Sequence, residues 1–151
     1  MSDTHRKQAF QHAMRCLAHP LSLLSMAILA FNDYYLRIQH PSWFTGKLGD
    51  VAWLFFFPFF LTAIFVWVLP KKWLKGNLPV LIGIGVTTFI FTLGKTWQPF
   101  QTLILQSLKF VFQAEFTGVV DPTDLFTMPV MGLTYLLWVK VPSEKAVRNV
   151  K

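Results

Sequence analysis

Residues 48–69, LGDVAWLFFFPFFLTAIFVWVL, decide the fold class of this chain. One carboxylate, Asp50, lies near the start of this stretch, and the rest of it is almost entirely apolar. A helix rises about 1.5 Å per residue and a bilayer core is about 30 Å thick, so about 20 apolar residues make one crossing. The stretch therefore predicts a transmembrane helix, and Pro58 within it predicts a kink.

The overall composition agrees with a membrane protein. Of the 151 residues, 54% are hydrophobic and only 14% are charged, against about 25% charged residues in soluble domains. The one cysteine, Cys16, excludes an intramolecular disulfide framework and a CxxC redox pair. The four histidines show no metal-ligand spacing. We predict one membrane domain over 1–151 with no cofactor and no metal.

Three other stretches are apolar over most of a membrane thickness, at about 17–36, 78–93 and 125–141. The last two are short, so interfacial flanks or local thinning of the bilayer must complete them. The second of the three contains Gly83 and Gly85, small residues that allow a neighbouring helix to approach closely. Together with 48–69, the sequence predicts four transmembrane helices.

A further segment, 99–113, has the pattern of an amphipathic helix. Thr102, Gln106, Lys109 and Gln113 fall in one stripe of a helical wheel, and apolar side chains occupy the opposite side. Such a helix either lies in the interface or dips into the membrane with its polar stripe toward the bundle. The predicted fold is thus an all-α membrane protein with four transmembrane helices plus an amphipathic outer-face helix between the third and fourth.

Charge sets the predicted orientation of these helices. With four spans and both termini inside, ten of the fourteen Lys and Arg residues are cytoplasmic. A fifth span would move the basic tail from Lys140 onward to the outside. We therefore expect a multi-pass protein of a bacterial cytoplasmic membrane with cytoplasmic amino and carboxyl termini, and no nucleic-acid partner. One alternative stays open, in which 21–30 is the apolar core of a cleaved signal peptide.

Five of the seven carboxylates collect at or beyond the predicted outer helix ends. Asp121 and Pro122 have the pattern of an N-cap and a first helical residue for the fourth helix. Asp50 and Asp124 suit the positive ends of their helix dipoles, and Lys95 suits the negative end of the third helix. Each of these placements is therefore also explained by helix electrostatics alone.

Asp33 is placed less favourably, because it lies near the carboxyl end of the first predicted helix, where a carboxylate opposes the dipole. Two explanations are open. Asp33 either pairs locally with Arg37, four residues on, or turns inward to meet Lys47 or Lys95.

Loop lengths favour an inward cluster. A short outer loop brings Asn32 and Asp33 near Lys47, and the amphipathic segment brings Lys95 near Asp124. We predict a shallow polar pocket open to the outside, bordered by tryptophans that are equally typical of interfacial anchors, Trp43, Trp53 and Trp97. The candidate ligand-binding residues are Asn32, Asp33, Lys47, Asp50, Lys95, Asp121 and Asp124.

Short motifs carry a resemblance to known proteins. Asn32-Asp33, Gly46-Lys47-Leu48-Gly49-Asp50 and Asp121-Pro122-Thr123-Asp124-Leu125 resemble elements of small bacterial membrane proteins of uncharacterised function. The chain is more distantly similar to the VanZ-like family of four-span proteins, which is linked to glycopeptide resistance.

In the VanZ-like family a Lys-x-x-His opens the second helix, a Glu-x-x-Gln ends the third and an Asp opens the fourth. The matching positions here are Lys47 with Asp50, Lys95 with Gln98, and Asp124, so Asp50 stands in place of His and Lys95 in place of Glu. The resemblance implies a role in the cell envelope.

Four functions are compatible with this pattern. The leading hypothesis is a non-enzymatic envelope protein whose pocket binds a lipid or cell-wall precursor headgroup, or a peptide or protein partner. Lys47 and Lys95 then donate to an anionic group of the ligand, and the carboxylates position them. The alternatives are an enzyme on a lipid-linked substrate with a carboxylate general base, an ion- or proton-coupled transporter or channel subunit, and a structural subunit of a membrane complex. The oligomeric state is left open.

Overall fold

The computed structural model describes residues 3–112 and 120–142, which contain helices and turns but no strand. A π-helical turn, Asn32–Leu36, joins the second and third helices, and two 3-10 segments, Lys71–Trp73 and Pro122–Thr127, lie in connections. The α-helices of these residues are α1 Asp3–Leu17, α2 Pro20–Phe31, α3 Arg37–Gln39, α4 Trp43–Val68, α5 Leu78–Thr96, α6 Gln98–Phe112 and α7 Val130–Lys140.

Helix α4 is the centre of the bundle, and α1, α2, α5, α7 and the Pro122–Thr127 segment all pack on it. Its first turn is held by a capping box, in which Ser42 accepts from the backbone N–H of Thr45 and the Thr45 side chain accepts from the backbone N–H of Ser42. The helix continues through Pro58 and ends before Pro70. Some of its apolar residues, such as Leu54 and Phe59, are buried in the core, and others, such as Phe60 and Trp67, lie on the outer surface of the bundle.

Helices α4 and α5 are each long and apolar enough to cross a membrane. The number rises to three if the chain from Thr4 to Leu17 and the chain from Pro20 to Gln39, which meet at a bend of 56°, form one broken span. Helix α7 has only 11 residues because the chain before it is wound as a 3-10 segment. The prediction of an all-helical fold is confirmed for the described residues, and two or three apolar helices of sufficient length are compatible with a membrane protein. The predicted total of four spans stays a prediction.

The chain before the first predicted span is also helical. The sequence pattern began that span at about residue 17 and assigned no helix before it, whereas α1 runs from Asp3 to Leu17. Ala13 and Cys16 are fully buried in a cluster that also contains residues of α4, α5 and α7, with Phe10 and Leu17 packed beside it. The spacing of these four apolar residues is that of one face of a helix and could have predicted α1, although polar residues lie between them.

Helices α4 and α5 are in close contact at Gly83. A Cβ atom added there would lie 2.7 Å from the Pro58 carbonyl oxygen and closer still to the Thr62 hydroxyl. By contrast, a Cβ at Gly85 would have no neighbour within 4 Å. Gly83 therefore has the predicted packing role, and Gly85 does not share it.

The buried hydroxyl groups of three threonines all find carbonyl acceptors, two within their own helix and one across helices. Thr62 donates to the Pro58 carbonyl at 2.7 Å, and Thr87 donates to the Gly83 carbonyl at 2.8 Å. Thr134 of α7 donates to the Phe55 carbonyl of α4 at 3.0 Å. Polar groups inside a membrane must form their hydrogen bonds within the protein. These bonds therefore allow the three threonines to be buried in an apolar interior.

Candidate functional site

Two lysines and three aspartates from separate parts of the chain meet at one end of the bundle. Lys47 and Asp50 come from the start of α4, and Lys95 comes from the last turn of α5. Asp121 and Asp124 come from the cap and first turn of the Pro122–Thr127 segment. We call these five residues the charge network.

Asp124 is the centre of the charge network. Its Oδ1 accepts a hydrogen bond from Lys47 Nζ, and its Oδ2 accepts one from Lys95 Nζ at 2.5 Å. The Asp124 side chain is only 9% exposed. One carboxylate therefore ties α4 and α5 to the chain that leads into α7.

Each lysine has a second carboxylate neighbour. Lys95 Nζ donates to Asp50 Oδ2 at 3.1 Å. Lys47 Nζ donates to the Thr123 hydroxyl at 2.7 Å and lies 3.6 Å from Asp121 Oδ2. Both ammonium groups are thus compensated by two acids within the protein.

Local structure explains why these side chains converge. Lys47 and Asp50 are three residues apart and so share one face of α4. The Asp121 side chain accepts from the Thr123 backbone N–H at 2.9 Å, which starts the 3-10 turn that carries Asp124. The sequence predicted Asp121 as the cap of the fourth α-helix; it caps this 3-10 turn instead, and α7 begins only at Val130.

Aromatic rings flank the network unevenly. The Lys47 ammonium lies 5.4 Å from the centre of the Trp43 ring, within the range of a cation–π contact. Trp43 is mostly exposed, and Trp97 is exposed and stacks on Phe100. Trp53, in contrast, stacks on Phe57 and packs in the interior. Trp43 is therefore the tryptophan placed to contact a molecule bound beside Lys47.

Asn32 and Asp33 lie outside the charge network. Asp33 pairs with Arg37 at 3.8 Å on an exposed surface, which is the local pairing of the two explanations considered above. Asn32 is only 1% exposed, donates to Asp33 Oδ1 at 3.3 Å and packs beside Gly49. The side chain of Gln98 is exposed at the start of α6, where no described contact joins it to the network.

The predicted stripe of the amphipathic segment is found on α6 as far as Lys109, and Thr102 and Gln106 are exposed. Gln113 of that stripe, Glu115, and the acidic and basic residues from 143 onward lie outside the described residues.

The charge balance changes the chemistry that was expected of the lysines. Three carboxylates face two ammonium groups, which leaves the network with one excess negative charge when all five are ionised. Lys47 and Lys95 already donate to protein acceptors, so their capacity for an anionic ligand is largely used. In the described ranges, no group of three or more His, Cys, Asp or Glu residues is placed to hold a metal ion. The network is therefore richer in acceptors than in donors.

Acid should weaken the network through Asp124. Burial acts to raise the pKa of Asp124, but hydrogen bonds from Lys47 and Lys95 outweigh it and lower the pKa below its ordinary value. An unfolded Asp titrates near pH 3.9, so the stability from Asp124 is fully present above about pH 3.9 and is lost as the pH falls through the lower folded pKa. We expect the difference in melting temperature between wild type and Asp124→Asn to shrink below about pH 4.

Thermal unfolding of detergent-solubilised protein, followed by circular dichroism across this acidic range and at neutral pH, measures that difference. A gap between the two proteins that stays constant at every pH would contradict the role given to the ionised Asp124.

The chain matches no protein-family model, no curated protein and no solved structure. The resemblance to the VanZ-like family accordingly stays a prediction.

Proposed function

We propose that this chain is an integral membrane protein whose charge network recognises the polar headgroup of a lipid or lipid-linked precursor at the outer membrane interface. The observation that supports this most directly is the convergence of five ionisable side chains at the end of two apolar helices. Ionisable groups at membrane depth are costly and usually mark functional sites. Stability alone does not explain such a network, because apolar residues of similar volume often stabilise a folded protein as much as a buried ion pair does.

The acceptor-rich balance of the network favours a ligand that donates hydrogen bonds. Asp121 is the open edge, with 36% of its side chain exposed and its Oδ2 beyond hydrogen-bond distance of Lys47. Hydrogen bonds from Thr123 lower the pKa of Asp121, so it is ionised at neutral pH. An ammonium or hydroxyl group of a headgroup would donate a hydrogen bond to Asp121. The exposed Trp43 ring, which already contacts the Lys47 ammonium, would border the bound group.

Native mass spectrometry of gently extracted protein tests this assignment. We expect wild type to retain an amine- or hydroxyl-bearing lipid, and Asp121→Asn to weaken its retention about 10–100-fold, the value of one charge-assisted hydrogen bond. Asp121 is the residue to change, because Asp121→Asn leaves the hydrogen bonds of Asp124 to both lysines in place. The matched control is Asp33→Asn, which removes an exposed acid outside the network and should leave retention unchanged. Equal lipid retention by all three proteins would refute the proposal.

The orientation that this proposal requires places the charge network outside and the opposite end of the bundle in the cytoplasm. We expect Tyr34→Cys, near the network end, to react with a membrane-impermeant maleimide in intact cells. Lys72→Cys, in the connection from α4 to α5, should react only after the cells are permeabilised. A Cys16→Ala background removes the native thiol, which is buried. The reverse labelling pattern would invert the topology and exclude an outer headgroup site.

Asp50 favours a second candidate function, acid–base chemistry on a lipid-linked substrate. It shares its one cation, Lys95, with Asp124, and its side chain is only 17% exposed against 36% for Asp121. A general base needs such a carboxylate within reach of the substrate. Turnover of a lipid substrate that disappears in Asp50→Asn, while lipid retention persists, would establish this function in place of simple binding.

A further inference from the structure

The end of the bundle opposite the charge network is strongly basic. The four carboxylates whose side chains the structure describes, Asp33, Asp50, Asp121 and Asp124, all lie at or near the network end. Basic side chains instead gather where α4 ends, on the amino-terminal helix, the connection from α4 to α5 and the end of α7. We call this set the basic end: Arg6, Lys7, Arg15, Lys71, Lys72, Lys75 and Lys140.

Direct contacts bring the three parts of the basic end together. Arg6 donates to the Val66 carbonyl at 2.8 Å and to the Leu69 carbonyl at 3.3 Å, so a cation of α1 covers the negative end of the α4 dipole. Arg15 donates to the Pro142 carbonyl, just after α7, at 3.3 Å. Asn77, which precedes α5, donates to the Tyr135 hydroxyl of α7 at 3.2 Å. The basic end is therefore one surface.

The connection from α4 to α5 presents the densest part of this surface. Lys71, Lys72 and Lys75 are all exposed, and none contacts a described carboxylate. Leu74 between them is buried and anchors the connection, while Trp73 is 42% exposed. Exposed lysines beside a partly exposed tryptophan at the end of a membrane helix are typical of an interface with lipid headgroups.

We infer that Lys71, Lys72 and Lys75 form a binding surface for the phosphate groups of anionic phospholipids in the cytoplasmic leaflet. The charge is complementary, because an anionic leaflet attracts basic segments held at its surface. The position is also suitable, since these lysines directly follow the apolar length of α4 and Trp73 can rest among the headgroups. This inference rests on the basic end and on the proposed orientation that places it in the cytoplasm, and it holds whether or not the network binds a ligand.

Titration of purified full-length protein with phosphatidylglycerol, and separately with phosphatidylcholine of the same acyl chains, tests the inference by native mass spectrometry. Each lysine contributes about a fivefold gain in affinity for an anionic surface, so Lys71→Gln/Lys72→Gln/Lys75→Gln should weaken phosphatidylglycerol binding about a hundredfold. Phosphatidylcholine binding should be unchanged. The matched single variants are Lys72→Gln, with an expected fivefold loss, and Arg37→Gln at the network end, with none.

Two results would overturn the inference. Equal phosphatidylglycerol binding by wild type and the triple variant would show that these lysines do not recognise the lipid. Displacement of phosphatidylglycerol by an equal concentration of inorganic phosphate would show a site for a soluble anion instead of a lipid surface. A circular dichroism spectrum of the triple variant identical to that of wild type ensures that a loss of binding is not a loss of folding.

Discussion

Asp124→Ala should lower the free energy of unfolding by about 3 kcal/mol, because it leaves two largely buried ammonium groups short of their shared partner. Asp124 accepts from both Lys47 and Lys95, whose side chains are only 11% and 19% exposed. Asp50 still joins α4 to α5 through Lys95, and Asp121 remains 3.6 Å from Lys47, but neither of them pairs with both lysines. Unfolding of detergent-solubilised protein, followed by circular dichroism, measures the loss.

Two variants separate the ion pair from other effects of this change. Asp33→Ala removes a carboxylate from the exposed Asp33–Arg37 pair and should cost less than about 1 kcal/mol. Lys47→Met/Asp124→Leu removes one lysine together with its partner and leaves Lys95 paired with Asp50. This double variant should recover much of the stability lost in Asp124→Leu. If Asp124→Ala and Asp33→Ala unfold alike, Asp124 is not the centre of the network.

Gly83→Ala should destabilise the protein by about 1–3 kcal/mol, the typical cost of adding a methyl group to a tightly packed contact. The new Cβ would lie 2.7 Å from the Pro58 carbonyl oxygen, which belongs to the backbone of α4 and has little freedom to move. Helices α4 and α5 would have to separate. Separation would also displace Lys95 from Asp50, since the two residues lie on these same helices.

Gly85→Ala and Gly94→Ala are the matched controls, because a Cβ at either position meets nothing within 4 Å. Alanine is a better helix former than glycine by about 1 kcal/mol, so both changes should be neutral or slightly stabilising. Adding Thr62→Ala to Gly83→Ala removes the nearest clashing atom and should restore part of the stability. A Gly83→Ala protein as stable as Gly85→Ala would show that the helices are not in close contact there.

Particular residues show how far the sequence could predict this site. Lys47 and Asp50 could be placed on one helix face from their spacing, and Lys95 could be placed near Asp124 from the loop that joins their segments. Asp33 could not be assigned, because a pair four residues apart and an inward contact are both compatible with its spacing. Its pairing with Arg37 depends on which way the π-helical turn rotates the side chain.

The fourth predicted helix and the amino-terminal segment show the same limit. Asp121 and Pro122 have the residue types of a helix start, but these types serve a 3-10 turn equally well. The polar residues of α1 lower its average hydropathy, so the sequence was not assigned a helix there. Its apolar face becomes evident from the packing of α1 on the other helices of the bundle. For Asp121 the residue type was interpreted correctly as a cap and the surrounding structure selected the conformation, whereas the apolar face of α1 was missed.

The sequence by itself determined that this is a helical membrane protein, because a long apolar run has few alternatives to a helix when water is absent. It also determined which residues were candidates for the site, since charged residues among apolar helices are few. Only the tertiary structure decided that Asp124 joins both lysines and that the network has an excess of acceptors. Those properties depend on distances between residues up to 77 positions apart, from Lys47 to Asp124. Local sequence patterns constrain such distances weakly, because packing of the whole bundle sets them.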